Sequence, residues 1–258
     1  MKKKILLITI FFMIKTSGIF SQDTVKILEE ANVFDEGEIK AVLVTAEKNY
    51  QSQKSFSGAL KITVLKHNLL FALNEKNLEV YENMRDEKNI QIAANPEMEK
   101  QAEETAKLIK NFYLEYKNPL FLAYLGSVEI IQAGIMSEVS LKSIWVKKGL
   151  RHLDEGVEKA GGNEKLFLKI LRGIGSSYLP PFFNRFPSAL RDLEEVYQKA
   201  YPARLEVFQN DRGAVLLFHL GKLYEQNGQS EKAKEFYREC AKKFPETKYA
   251  KKALKKIL

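Results

Sequence analysis

The sequence predicts an all-α protein built as an array of antiparallel helix pairs. Three observations predict it. Across 258 residues only 7 prolines and 14 glycines interrupt the chain, too few for the closely spaced turns of a β fold. Apolar residues recur at spacings of three and four through most of the length, the period of one helix face. Residues 214–247 hold two such stripes joined by one glycine-bearing turn, and a unit of that kind cannot bury its own faces without neighbours. Hydrophobic residues at 45% and charged residues at 29% are the balance of a folded core with a solvated surface.

The first element is a targeting segment. Lys2, Lys3 and Lys4 precede an apolar run over residues 5–14, and Thr16, Ser17, Gly18 and Ser21 supply small residues. This is the layout of a secretory leader. Residues 1–21 are therefore expected to be a signal peptide cut after Ser21, and the protein to be exported, periplasmic or secreted. A membrane span needs about 20 apolar residues and Lys15 ends this run too early, so no integral membrane segment is expected after signal removal. No cysteine lies near the cut to accept a lipid. The leader holds four lysines and no acids, so a net charge of +8 falls to +4 without it. So mild a charge argues against a nucleic-acid partner. Cys240 is the only cysteine, which excludes an internal disulfide.

Residues 22–117 form an N-terminal helical region. Residues 38–50 and 57–84 have helical periodicity, with Leu60, Val64 and His67 on one face. Asn95-Pro96 marks a junction, and residues 98–116 are an amphipathic helix. Residues 118–258 hold the repeats. Asn118-Pro119 opens a helix carrying Tyr124, Leu125 and Gly126. Residues 142–160 read as its partner, with Gly149, Leu153 and Gly156 on one face. Residues 132–141 are expected to connect them, and Gly161, Gly162 and Asn163 to end the second helix. The next unit places Leu168, Leu171, Gly173 and Ile174 on one helix and Ala189, Leu193, Val196 and Tyr197 on the other. The loop between, residues 178–187, is broken by prolines. With no low-complexity linker, one continuous domain is the simplest reading.

In the last unit Leu217, Leu220, Gly221 and Tyr224 share a face, Gly228 sits in the turn, Ala233, Tyr237 and Cys240 mark the second helix, and Pro245 closes it. Gly228 permits the left-handed conformation that ends a helix. Gly221 costs about 1 kcal/mol of helix propensity against alanine, which close packing must offset. Gly221 and Ala233 are expected to face each other with Tyr237 beside them, and Cys240 to be packed in the interior. Beyond it, Tyr249, Ala250, Ala253, Leu254 and Leu258 form one stripe of a capping helix. Its lysines, Lys248, Lys251, Lys252, Lys255 and Lys256, read as a solvated face.

In residue type and spacing, residues 214–247 resemble a tetratricopeptide repeat, with Leu217 where tryptophan is common. The resemblance implies a right-handed array of antiparallel helix pairs, degenerate copies upstream, and a protein partner held in a concave groove. Residues 118–197 also resemble a group of uncharacterised bacterial helical-repeat proteins, through residues 123–127, 148–154, 171–173 and 179–193. That likeness implies a helical-repeat fold and brings no activity.

No catalytic constellation is legible. His67, His152 and His219 lie on separate predicted helices without ligands at metal spacing. Gly173-Ile174-Gly175 has Tyr178 where a dinucleotide fingerprint needs its third glycine, and Ser127 is not in a nucleophile elbow. No metal or cofactor is expected. The binding candidates are Arg172, Arg185, Phe182 and Phe183. Arg185 and Asp192 suit an ion pair pinning the Pro-Phe-Phe loop, or Arg172 or Arg185 faces a groove and grips a partner carboxylate or phosphate. Phe182, Phe183 and Phe186 fill core or form a contact patch. The expected function is a non-enzymatic scaffold or adaptor for a protein partner in the cell envelope. The alternative is a ligand-binding accessory protein of a solute transport system, which requires a cavity near residues 178–186.

Overall fold

Helix starts in this chain are set by local chemistry. Asp35, Asn95, Asn118 and Thr247 each accept a hydrogen bond from a backbone N–H of the turn they precede, at 2.8–3.2 Å. Each satisfies a donor that a helix leaves orphaned. Pro96 and Pro119 occupy first helical positions, where a missing N–H costs nothing. In a computed structural model, which describes residues 22–31, 33, 35–83, 95–136, 138–199 and 211–258, the described chain is helical with no strand. The expected leader, residues 1–21, and Met84 lie outside the described residues.

The helices are α1 (Gln22–Glu30), α2 (Glu36–Ser52), α3 (Phe56–Asn83), α4 (Pro96–Tyr116), α5 (Pro119–Ile135), α6 (Val139–Lys159), α7 (Gly162–Ser177), α8 (Phe186–Lys199), α9 (Asp211–Gln226), α10 (Ser230–Lys243) and α11 (Lys248–Ile257). A 3₁₀ turn, Pro181–Phe183, precedes α8. Each helix packs on the next, from α2 onward, wherever the connecting residues are described. The odd-numbered helices also pack on one another in succession: α1 on α3, α3 on α5, α5 on α7, α7 on α9 and α9 on α11. The even-numbered helices pack chiefly on their odd neighbours. The result is a two-layer array of helix pairs with the odd helices in continuous contact, the geometry of a stacked repeat.

Two members of that odd layer far apart in sequence, α3 and α11, also meet. The buried Glu75 carboxylate on α3 accepts hydrogen bonds from Lys248 Nζ at 2.7 Å and Tyr249 Oη at 2.9 Å, with Lys252 Nζ at 3.4 Å, all on α11. Lys248 and Lys252 thus do not form the solvated face expected of them. Lys256 pairs with Glu225 at 3.1 Å. The apolar stripe of α11 is also turned from the expected one. Tyr249, Ala250 and Ala253 are buried and Ile257 packs on the core, while Leu254 and Leu258 are exposed. A spacing of four from Ala253 reaches Ile257, and that continuation keeps one face.

The tightest crossing is α5 on α6. A Cβ on Gly126 would lie 2.4 Å from the Gly149 carbonyl oxygen, and one on Gly149 2.6 Å from that of Gly126. A Cβ on Gly156 would meet Ala123 Cβ at 2.9 Å. Residues 132–141, expected to be a connector, are mostly helix, because α5 runs on to Ile135 and α6 starts at Val139. Gly162, expected to end a helix, opens α7. One apolar core runs from Ile27 to Ala253. Among the described residues no helix is long and apolar enough to cross a membrane.

Candidate functional site

A cavity of about 520 Å³ opens among α3, α5, α6, α7, the 178–183 loop and α9. Such a volume falls in the range of small-molecule sites. Phe71, Ile131, Phe167, Ile174, Leu179 and Phe183 supply much of an apolar wall. Polar atoms enter from few side chains, among them His67, Asn68, Ser127 and Arg212. The loop is where it is because Tyr178 and Leu179 end α7 in a turn and Pro180 and Pro181 stop the helix from resuming.

The polar cluster is largely self-contained. His67 Nε2 lies 2.8 Å from Ser127 Oγ, and His67 Nδ1 lies 3.3 Å from Asn68 Oδ1. The Asn68 amide donates to the carbonyls of Ala31 and Val33. Asn68 Oδ1 therefore accepts from Nδ1–H, and Nε2 accepts the Ser127 hydroxyl proton. Burial, reinforced by the Arg212 charge and opposed by the Asn68 bond, pushes His67 down to about 4, so it is neutral near pH 7. Burial pushes Tyr124 up to about 12, with Arg212 opposing. The Arg212 guanidinium sits 5.2 Å from the Phe167 ring centroid and the residue is 6% exposed.

Aromatic rings run on from this cluster along the odd helices. Tyr124 contacts His67, His67 stacks on Phe71, Phe71 meets Tyr178, Tyr178 meets His219, and His219 meets Tyr249, with centroids 5.0–6.3 Å apart. His219 is buried and held well below its ordinary value, first by burial and then by Lys222, Lys252 and Lys248.

The two candidate arginines are brought together, with Arg172 on the carboxylate expected for Arg185 and Arg185 on Asp154. Arg172 Nε and Nη2 donate to Asp192 at 2.6 and 2.9 Å. Arg185 Nη1 and Nη2 donate to Asp154 at 3.0 and 2.7 Å, and Arg172 Nη1 reaches the same carboxylate at 3.1 Å. The expected Arg185–Asp192 pair is replaced by a chain, Arg185–Asp154–Arg172–Asp192. The physical reason is placement: Asp192 lies on the face of α8 that packs on α7, while Arg185, just before α8, reaches back to α6. Both bidentate forks are spent inside the protein, which argues against either guanidinium gripping a partner. Phe183 and Phe186 pack on the core, whereas Phe182 is 76% exposed at the cavity rim.

The α9–α10 pair forms the unit singled out at the C-terminus. Leu217, Leu220, Tyr224, Ala233, Tyr237 and Cys240 are buried. The atoms nearest a Cβ on Gly221 all belong to the Tyr237 ring, at 2.6–3.0 Å. Gly221 thus makes room for that ring, and Ala233 is not its closest neighbour. Gly228 has φ +73°, the left-handed region. Tyr224 stacks on Phe236 with centroids 5.3 Å apart and donates to Glu194 of α8, and Tyr237 Oη donates to Glu225 at 3.0 Å. Cys240 Sγ donates to the Ala214 carbonyl at 3.4 Å, and burial pushes its thiol up to about 12. Pro245 is exposed in the turn before α11. The tetratricopeptide-repeat family model matches residues 216–247.

The chain carries a tetratricopeptide repeat. Searches of curated proteins and of solved structures return no match. The repeat is a protein-interaction scaffold by type, and its marked positions here hold helices together without lining the cavity. Among the described residues no group of three or more His, Cys, Asp or Glu is placed to hold a metal ion. Sequence reasoning missed Arg212 and the cluster at His67, Asn68 and Ser127. One signal was available: charged and amide residues at core positions of apolar stripes, such as Arg212 beside Ala214 and Val215 and Asn68 beside Leu69 and Leu70.

Proposed function

We propose that this protein is an exported, non-enzymatic scaffold of the cell envelope that binds a protein partner through its helical array. The observation that supports it is the tetratricopeptide repeat at residues 216–247, set in a two-layer array whose stacked helices offer an extended surface. The layout of residues 1–21 supports export. The test is affinity capture of the tagged mature chain from envelope extracts, alongside N-terminal sequencing of the chain recovered from cells. A reproducible partner and a chain starting at Gln22 are expected. Recovery of nothing reproducible counts against the scaffold, and an intact leader on cytoplasmic protein counts against export.

A second reading is favoured by a separate observation. The cavity of about 520 Å³ lies beside residues 178–183, and it suits a ligand-binding accessory protein of a solute transport system. Native mass spectrometry of the protein purified from its own cells tests this. A discrete small-molecule adduct, lost when Ile131→Trp narrows the cavity, is the expected result. An identical adduct in the narrowed variant would place the molecule elsewhere.

A further inference from the structure

The chemistry of the cavity wall narrows what it can hold. Its wall is apolar over most of its area, so a sugar or other polyhydroxyl molecule would lose hydrogen bonds to water without replacement. The polar cluster at its floor is neutral and internally bonded: Ser127 serves His67, His67 serves Asn68, and Asn68 serves two backbone carbonyls. Among the described lining residues the charged groups are Arg212 and Lys142, with no aspartate or glutamate. Low-dielectric walls focus such a field on whatever enters. A cationic occupant is disfavoured on sign. A fully apolar one would gain nothing from Arg212, whose guanidinium carries five N–H donors in a fixed fork. The guanidinium is engaged within the protein, yet its buried Nη1 makes no hydrogen bond among the described residues, so that donor remains for a ligand while the others serve the fold.

We infer that the cavity binds an amphipathic monocarboxylate, with its apolar body among Phe71, Ile131, Phe167 and Ile174 and its carboxylate directed to Arg212. This inference rests on the small-ligand reading above. It places the head beside the Phe167 ring, over which the guanidinium already lies at 5.2 Å, and the tail toward the 178–183 loop. The exposed ring of Phe182 then stands at the end through which the tail enters. No bond is made or broken; the site is one of binding alone.

The experiment is a calorimetric titration of the mature chain with three probes of one length: decanoate, decanol and decylamine. Decanoate is expected to bind at one site per chain, with decanol weaker by about tenfold or more, the worth of one charged hydrogen bond, and decylamine weaker still. Shortening decanoate to octanoate should weaken binding by roughly fourfold for each methylene removed. Arg212→Gln should bring decanoate down to the decanol level while leaving decanol binding unchanged. Should that variant fail to fold, the three-probe series on the unaltered protein still decides the matter. Decanol binding as tightly as decanoate overturns the carboxylate assignment and leaves the cavity as an apolar ligand site. Binding of none of the three, or binding at many weak sites, overturns the small-ligand reading together with it.

Discussion

Gly126 and Gly134 lie on the same helix and should answer alanine in opposite directions. A Cβ on Gly126 would sit 2.4 Å from a backbone oxygen of α6, which cannot yield, whereas a Cβ on Gly134 meets nothing within 4 Å. Gly126→Ala is therefore expected to destabilise by about 1–3 kcal/mol through overpacking. Gly134→Ala should stabilise by about 0.5 kcal/mol through helix propensity. Equal melting temperatures for the two variants would show that the α5–α6 crossing is looser than described. Of the same residue-by-residue kind is the effect of acid. His67 has an ordinary value of 6.5 and is held at about 4, so between those values the unfolded chain binds a proton that the native one refuses. The stability this confers is full above the unfolded value and declines as pH falls through the window below it. At about pH 5 the loss from His67 alone is about 2 kcal/mol, and His219, shifted the same way, adds to it. Chemical denaturation at about pH 7 and about pH 5 should show a smaller pH dependence in His67→Gln than in the parent. An unchanged dependence would mean that His67 titrates freely.

At the level of elements, the helices were legible because periodicity and caps are local. Asn95-Pro96 and Asn118-Pro119 announce α4 and α5 on residue chemistry alone. What was not legible is which carboxylate each arginine finds. Arg185 stands seven positions from Asp192 in sequence, yet it bonds to Asp154 on α6, and only the packing of α6, α7 and α8 decides that. The facing of α11 failed for a related reason, since the stripe through Leu254 and the one through Ile257 are both apolar and the neighbours choose between them. The consequence is a loop whose position depends on Asp154, which receives both guanidinium groups. Asp154→Asn keeps the size and removes the charge. Because Asp154 keeps 33% of its side chain exposed, screening reduces the cost to about 1–2 kcal/mol. The clearer signature is local: amide exchange over residues 179–185 should accelerate while that of α10 stays as it was. Uniform acceleration across the chain would mean that the network supports the whole fold and does not merely pin the loop.

For the whole molecule, the decisive contact joins α3 to α11, the last helix of the odd layer, and its energetics are asymmetric. The cavity could not be read from the sequence because its wall is drawn from α3, α5, α6, α7, a loop and α9, and most contributing residues, such as Phe71, Ile131 and Phe167, look like ordinary core when taken alone. Closure hides in the same way: Glu75 reads as one more surface acid until α11 is laid against it. In the structure its side chain is 7% exposed, while Lys248 and Lys252 keep 37% and 27%. Deleting a partner costs most when the group left behind is the buried one. Glu75→Gln leaves two lysines that can swing into water and an amide that can still accept from Tyr249, so the cost should be about 1 kcal/mol. Lys248→Ala with Lys252→Ala instead leaves a buried carboxylate with, among the described residues, the Tyr249 hydroxyl alone, and the cost should be about 3 kcal/mol. The double variant should also relieve that charge by parting α11 from α3, which small-angle scattering would register as a larger radius of gyration. If Glu75→Gln proves the more damaging of the two, the carboxylate is not buried in solution and the array stands open between α3 and α11.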